Sequence, residues 1–132
     1  MAKSLQTKLL SLALGAGLFA TSQLYAAEMM IKSGAFKGPK ANSGFVTSSK
    51  EGGKIVLALS EDFKTPDTPD PHWQVVDSKG TVFMLQKIAI KDNKMNRKIT
   101  LPDYIKDVSK VVIWCAWAEV NLGDAVFDKP VM

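Results

Sequence analysis

One cysteine, Cys115, and one histidine, His72, are the residues of this 132-residue chain with the widest chemical reach. Cys115 stands in Lys110-Val111-Val112-Ile113-Trp114-Cys115-Ala116-Trp117-Ala118-Glu119, an almost unbroken apolar run. A thiolate there would be a nucleophile and redox centre, or a ligand to haem iron or copper. Burial among hydrophobes instead implies an inert thiol with a raised pKa. His72 follows Asp70-Pro71 and precedes Trp73. As the only imidazole it is the available partner for haem or copper, and with Cys115 and Met84 or Met95 it would make a soft copper site. A blue-copper site takes two histidines, and the second is missing. Hydrogen bonding to backbone or pairing with Asp70 suits a loop histidine better. Asp62, Asp67, Asp70 and Asp77 lack the alternate spacing of a calcium loop and fit turn capping. Glu51 and Glu61 read as solvated charges. No Ser-His-Asp order and no phosphate-cradling glycine loop is visible, so no catalytic constellation marks the chain as an enzyme.

The counts exclude further chemistry. A lone cysteine forms no intrachain disulfide and no Cys-x-x-Cys pair, and a lone histidine forms no His-x-x-x-His zinc site. The hydrophobic share of 46%, the charged share of 23% and the net charge of +4 describe one globular domain. The basic residues are interleaved with acids rather than gathered into a stripe, which gives nucleic acid no footprint.

The start of the chain is an address. Lys3 and Lys8 precede the apolar stretch Leu9 to Ala20, and a polar end closes on Ala26-Ala27. This is the layout of a signal peptide over residues 1–26, too short in its apolar part to span a bilayer. Cleavage removes Lys3 and Lys8 from the 17 basic residues and none of the 13 acids, leaving a net charge of +2. The expected location is periplasmic or secreted, with no stable membrane anchor after cleavage. An unpaired thiol is unusual in such an oxidising compartment.

Residues 27–132 show short apolar or alternating runs separated by turn residues, the pattern of an all-β domain. The expected strands are Met30 to Phe36, Phe45 to Ser49, Lys54 to Leu59, Trp73 to Asp77, Val82 to Ile90, Lys98 to Leu101, Val111 to Ala118 and Val120 to Phe127. About eight short strands imply an antiparallel β-sandwich. Lys37-Gly38-Pro39, Glu51-Gly52-Gly53 and Asp77-Ser78-Lys79-Gly80 carry turn chemistry, the last as a hairpin. Pro102 and Asp103 open one helical turn with Tyr104, Ile105 and Val108 inward. Pro66, Pro69 and Pro71 make Asp62 to His72 a stiff loop. Alternation groups Ile113, Cys115 and Trp117 on one face of a central strand and Val112, Trp114, Ala116 and Ala118 on the other.

Several of these pieces together resemble the DM-thirteen domain. Gly34-Ala35-Phe36 with Gly44-Phe45-Val46 is similar to the family's opening glycine motifs, and Leu57-Ala58-Leu59-Ser60-Glu61-Asp62-Phe63 to its strand ending in Asp-Phe. Pro69-Asp70-Pro71-His72-Trp73, Ile99-Thr100-Leu101-Pro102, Val111-Val112-Ile113-Trp114-Cys115 and Val120-Asn121-Leu122-Gly123-Asp124-Ala125 resemble its later motifs, in order, over nearly all of residues 27–132. The chain departs from the pattern at Lys40-Ala41-Asn42, where a histidine is common, and at Ala118, where an aromatic is. The resemblance implies a small exported β-sandwich with a proposed electron-transfer role. Cys115 would be the redox position, as a thiol or as a ligand to a group such as haem, served by a redox partner protein. The competing expectation is a binding or scaffolding sandwich in which Cys115 is only core.

Overall fold

The computed structural model describes residues 30–91, 94–95 and 97–132, with residues 90, 91, 94 and 95 as backbone only. The expected leader, residues 1–26, lies outside them. Ten strands form: β1 (Ile31–Lys32), β2 (Val46–Glu51), β3 (Lys54–Leu59), β4 (Pro71–Val76), β5 (Val82–Lys87), β6 (Ile90–Lys91), β7 (Lys94–Met95), β8 (Lys98–Thr100), β9 (Val108–Cys115) and β10 (Val120–Val131). Eight of them make two four-stranded antiparallel sheets, ordered β1-β2-β3-β8 and β10-β9-β4-β5, while β6 and β7 form a separate ribbon. There is no helix among the described residues, and the architecture is the expected all-β sandwich.

The core is the pair of inward faces. Val46, Ile55, Leu57 and Ile99 from the first sheet share one buried cluster with Trp73, Val75, Val111, Ile113 and Cys115 from the second. Strand alternation produces this directly, since every second residue of β3, β4 and β9 faces the opposite sheet. The turns follow their chemistry. Gly52 and Gly53 both take positive φ between the paired Glu51 and Lys54, as a two-residue hairpin loop requires. At the next hairpin the Asp77 carboxylate accepts N–H bonds from Lys79 and Thr81 at 2.9 and 2.8 Å.

Several boundaries differ from expectation. Only Ile31–Lys32 pairs as β1, because the chain then crosses to the other sheet. Gly34 N–H donates to Val126 O, Lys37 pairs with Asp124, and the N–H groups of Lys40 and Ala41 donate to Leu122 O. Residues 34–41 therefore cover the outer edge of β10, which would otherwise present unpaired backbone. The single turn expected after Leu101 is present, closed by Ile105 N–H to Pro102 O. Ile105 and Val108 are buried as expected, but Tyr104 is 66% exposed, stacked at a tilt against Phe83. β9 ends at Cys115 rather than Ala118, and β10 runs on to Val131.

Glycine makes the covering of β10 possible. A Cβ at Gly123 would clash with the carbonyl oxygen of Ala41, and one at Gly38 with the backbone of Gly123. Backbone has nowhere to move in such a contact, so Gly123→Ala is expected to destabilise the domain by about 2–3 kcal/mol, the upper part of the overpacking range. Urea unfolding followed by tryptophan fluorescence measures it; a loss near zero would show that residues 34–41 are not firmly seated.

Candidate functional site

Six consecutive pairs join β4 to β9, from Val76 with Lys110 to Pro71 with Cys115. At that last pair β9 stops, and residues 116–119 turn the chain so that Val120 pairs with the same cysteine. Glu119 N–H donates to Cys115 O at 2.8 Å, and Glu119 takes φ of 55°, a left-handed conformation that favours glycine and costs of order 1 kcal/mol in other residues. The turn directs peptide N–H groups back at its first residue. The N–H groups of Ala118 and Trp117, three and two residues ahead, act on the Cys115 thiol and lower its pKa. A helix N-cap side chain makes the same pattern.

A third donor comes from the proline loop. Pro69 and Pro71 have no N–H, so Asp70 carries the one backbone donor between them, and it too lowers the pKa of the Cys115 thiol. Asp70 O in turn accepts the N–H of Ala116 at 3.0 Å. Thr68 Oγ1 is buried without a hydrogen bond of normal geometry, yet it interacts weakly with the sulfur. The Ala118 N–H is the main influence holding the thiol below its usual pKa; burial opposes it, and Asp70 N–H, Trp117 N–H and the Thr68 hydroxyl add to the lowering. The raised pKa expected from the apolar sequence context is therefore corrected. Cys115 is 1% exposed, but its surroundings are rich in donors, which favour the charged form.

The expected sharing of a face by Cys115 and Trp117 is also corrected. The strand has ended, alternation no longer applies, and Trp117 is 75% exposed at the tip of the turn.

His72 lies beside the site on the other side of the sheet. It pairs with Trp114, while Cys115 pairs with Pro71, so His72 faces outward and Cys115 inward. His72 Nδ1 is 2.8 Å from Leu85 O and Nε2 is 3.0 Å from Asp70 Oδ1. Lys87 Nζ approaches the same Asp70 oxygen at 3.5 Å. His72 thus steadies the side chain of a residue whose backbone addresses the sulfur, which makes it a positioning residue. Met84 is on the outer face as well, 54% exposed.

These placements do not fit a haem or copper held jointly by Cys115 and His72. The two side chains diverge, and both imidazole nitrogens face oxygen acceptors. No group of three or more His, Cys, Asp or Glu residues among the described residues is arranged to hold a metal ion.

One concavity near the site is a cleft of about 540 Å³ lined by Thr68 and Pro69 of the proline loop, by Pro71 at the start of β4, and by Lys87 and Ile88. Another cleft, of about 340 Å³ and lined by Lys50, Lys54, Asp103 and Lys106, belongs to the end of the sandwich where β9 begins. Comparison with protein-family models, curated proteins and solved structures finds no match for this chain.

The donors that sequence reading missed are backbone groups of Asp70, Trp117 and Ala118, with the hydroxyl of Thr68. Only the Pro-Asp-Pro spacing hinted at one of them. The arrangement orders two variants in a way an apolar pocket would not. Cys115→Ser keeps an acceptor for the N–H groups, whereas Cys115→Ala leaves them buried without one. The serine variant is expected to melt at the higher temperature of the two; the reverse order in calorimetry would mean that the thiol behaves as a plain hydrophobe.

Proposed function

We propose that this chain is an exported thiol-redox domain in which the Cys115 sulfur, seated among backbone N–H groups at the end of β9, is the electron-exchanging atom. The observation that carries the reading is that the turn after β9 and the proline loop supply the backbone groups of Ala118, Asp70 and Trp117 that hold the thiol below its usual pKa. Reactive cysteines sit in electropositive, partly exposed surroundings; Cys115 shares the first feature and is 1% exposed. The leader-like first 26 residues support export, and the ordered motifs shared with the DM-thirteen domain support an electron-transfer setting. Within that reading the thiol itself acts, rather than a group ligated by Cys115 and His72. A redox partner protein would supply or remove the electrons.

The alternative, a binding or scaffolding sandwich, has one observation in its favour. The outer face of the second sheet exposes Val82, Met84 and Val126, an apolar surface of the kind partners cover.

Titration of the folded protein separates the two. The thiolate absorbance is expected to rise with a midpoint below the ordinary cysteine value of about 8.5, and iodoacetamide is expected to alkylate Cys115 without denaturant. A thiol that reacts only in denaturant would leave the binding reading. Stability carries the same signature. A folded pKa below the unfolded one means that the unfolded chain holds more protons between the two, so stability rises with pH through that window and is lost as pH falls through the folded midpoint. The Cys115→Ser variant should lack this component in urea titrations carried downward in pH from the ordinary thiol midpoint of about 8.5.

A further inference from the structure

Lys50 is exposed, yet it stands directly opposite Ile55 across the β2–β3 hairpin, and residues in direct opposition share a face of the sheet. Ile55 belongs to the core. The register therefore puts a lysine where one more apolar residue would close the end of the inward-facing row. Lys54 comes from the start of β3, and Lys106 from the segment just before β9. With Asp103 they line the cleft of about 340 Å³ whose apolar lining includes Ile55 and Ile105, both 4% exposed. Three segments of the chain thus bring three cations to one concavity that holds a single acid. That acid is loosely engaged. Asp103 meets Lys54 at 3.8 Å with both side chains largely in solvent, a pairing that contributes little. Glu51, the neighbouring acid of the hairpin, is taken by Lys98 at 2.9 Å. Among the described residues Lys50 and Lys106 have no ion-pair partner.

We propose that this cleft binds a phosphate monoester, with Lys50, Lys54 and Lys106 holding the phosphate oxygens and the Ile55–Ile105 side taking the esterified body. A cleft lined by one sign of charge over low-dielectric walls focuses its field and concentrates ions of the opposite sign. The donor type selects among anions. A planar carboxylate is matched by the fork of an arginine, and the lining has none; ammonium groups act as point charges, which suits a tetrahedral dianion approached from three sides. The volume lies at the lower end of the range of about 300–1,000 Å³ for ligand pockets, so the bound part of the ester is small. Asp103 opposes binding, since it competes for Lys54 and repels the dianion. Soluble esters and lipid headgroups such as phosphatidic acid carry the same group, and the chemistry of the cleft is the same for both. None of these residues takes part in the Cys115 site, so the proposal stands apart from the thiol-redox reading.

The test follows backbone NMR shifts of the full-length protein as phenyl phosphate is added, in the millimolar range that suits so small a ligand. The shifts are expected to concentrate at residues 50–55 and 102–106. Lys50→Gln and Lys106→Gln are each expected to weaken binding by about three- to tenfold, the worth of one hydrogen bond, whereas Asp103→Asn is expected to strengthen it. All three side chains are exposed, so the variants keep the fold, which the unchanged remainder of each spectrum verifies. Vesicles of phosphatidylcholine with phosphatidic acid form the second arm. Retention on them that the lysine variants lose would support the proposal with a lipid headgroup as the ester, and binding of phenyl phosphate alone would support it with a soluble one. Inorganic phosphate bound as tightly as phenyl phosphate would overturn the ester assignment. Absence of shifts at the cleft with either probe, or affinities that the lysine variants leave unchanged, would overturn the site and leave the reading of Cys115 untouched.

Discussion

The β4–β9 ladder is the constraint from which the other features follow. Its six uninterrupted pairs run through the middle of the second sheet and fix which residues of both strands face the core. Trp73, Val75, Val111 and Ile113 are buried because of that register, and a slip of one residue would turn all of them outward. The same register sets Cys115 opposite Pro71, so the proline loop enters the sheet beside the sulfur. The position of Asp70 N–H is thus a consequence of strand pairing. No separate design of the loop is needed to bring it there.

A buried thiolate is costly when its charge faces only hydrocarbon, because desolvation favours the neutral form. Here burial and donor contacts act in opposite directions, and the donors win. Peptide N–H groups suit this task since the backbone fixes them and they require no compensating charge. The four-residue turn supplies two of them at the cost of a left-handed Glu119. Glycine at 119 would relieve that conformation but would loosen the turn, because glycine has more conformational freedom to lose.

The eight sandwich strands were legible because alternation of apolar residues and the glycine and proline breaks point to the same segments; β3, Lys54–Leu59, needed no adjustment. What remained hidden were interactions that side-chain pattern does not encode. The apolar letters of Ala116, Trp117 and Ala118 extend the run of β9, yet the chain turns there through backbone geometry, and Trp117 becomes exposed. Residues 33–36 read as a continuing strand but change sheets, an event set by the edge of β10 far along the chain. Likewise, the inert-thiol alternative for Cys115 came from its apolar neighbours in sequence, whereas the groups that lower its pKa are peptide groups that every residue possesses. The sequence placed His72 and Cys115 as possible co-ligands; only the register reveals that they project from opposite faces.

The division between rigid and adjustable parts follows from the same geometry. β9 is central, flanked by β10 and β4, and Val112 on its outer face is as buried as Val111 and Ile113 on its inner face. The strand therefore holds the Cys115 backbone with little freedom. The sulfur's partners, by contrast, come from two surface segments, the turn 116–119 and the proline loop, and surface loops yield before a central strand does. The exposed indole of Trp117 is borne by a residue whose backbone lowers the thiol pKa, and the Asp70 carboxylate bound by His72 and Lys87 belongs to another such residue. Each loop thus joins an outward-facing group to a backbone group that acts on the thiol. Displacement of either loop would withdraw a donor and return the thiol toward its ordinary acidity, while the sandwich itself need not move.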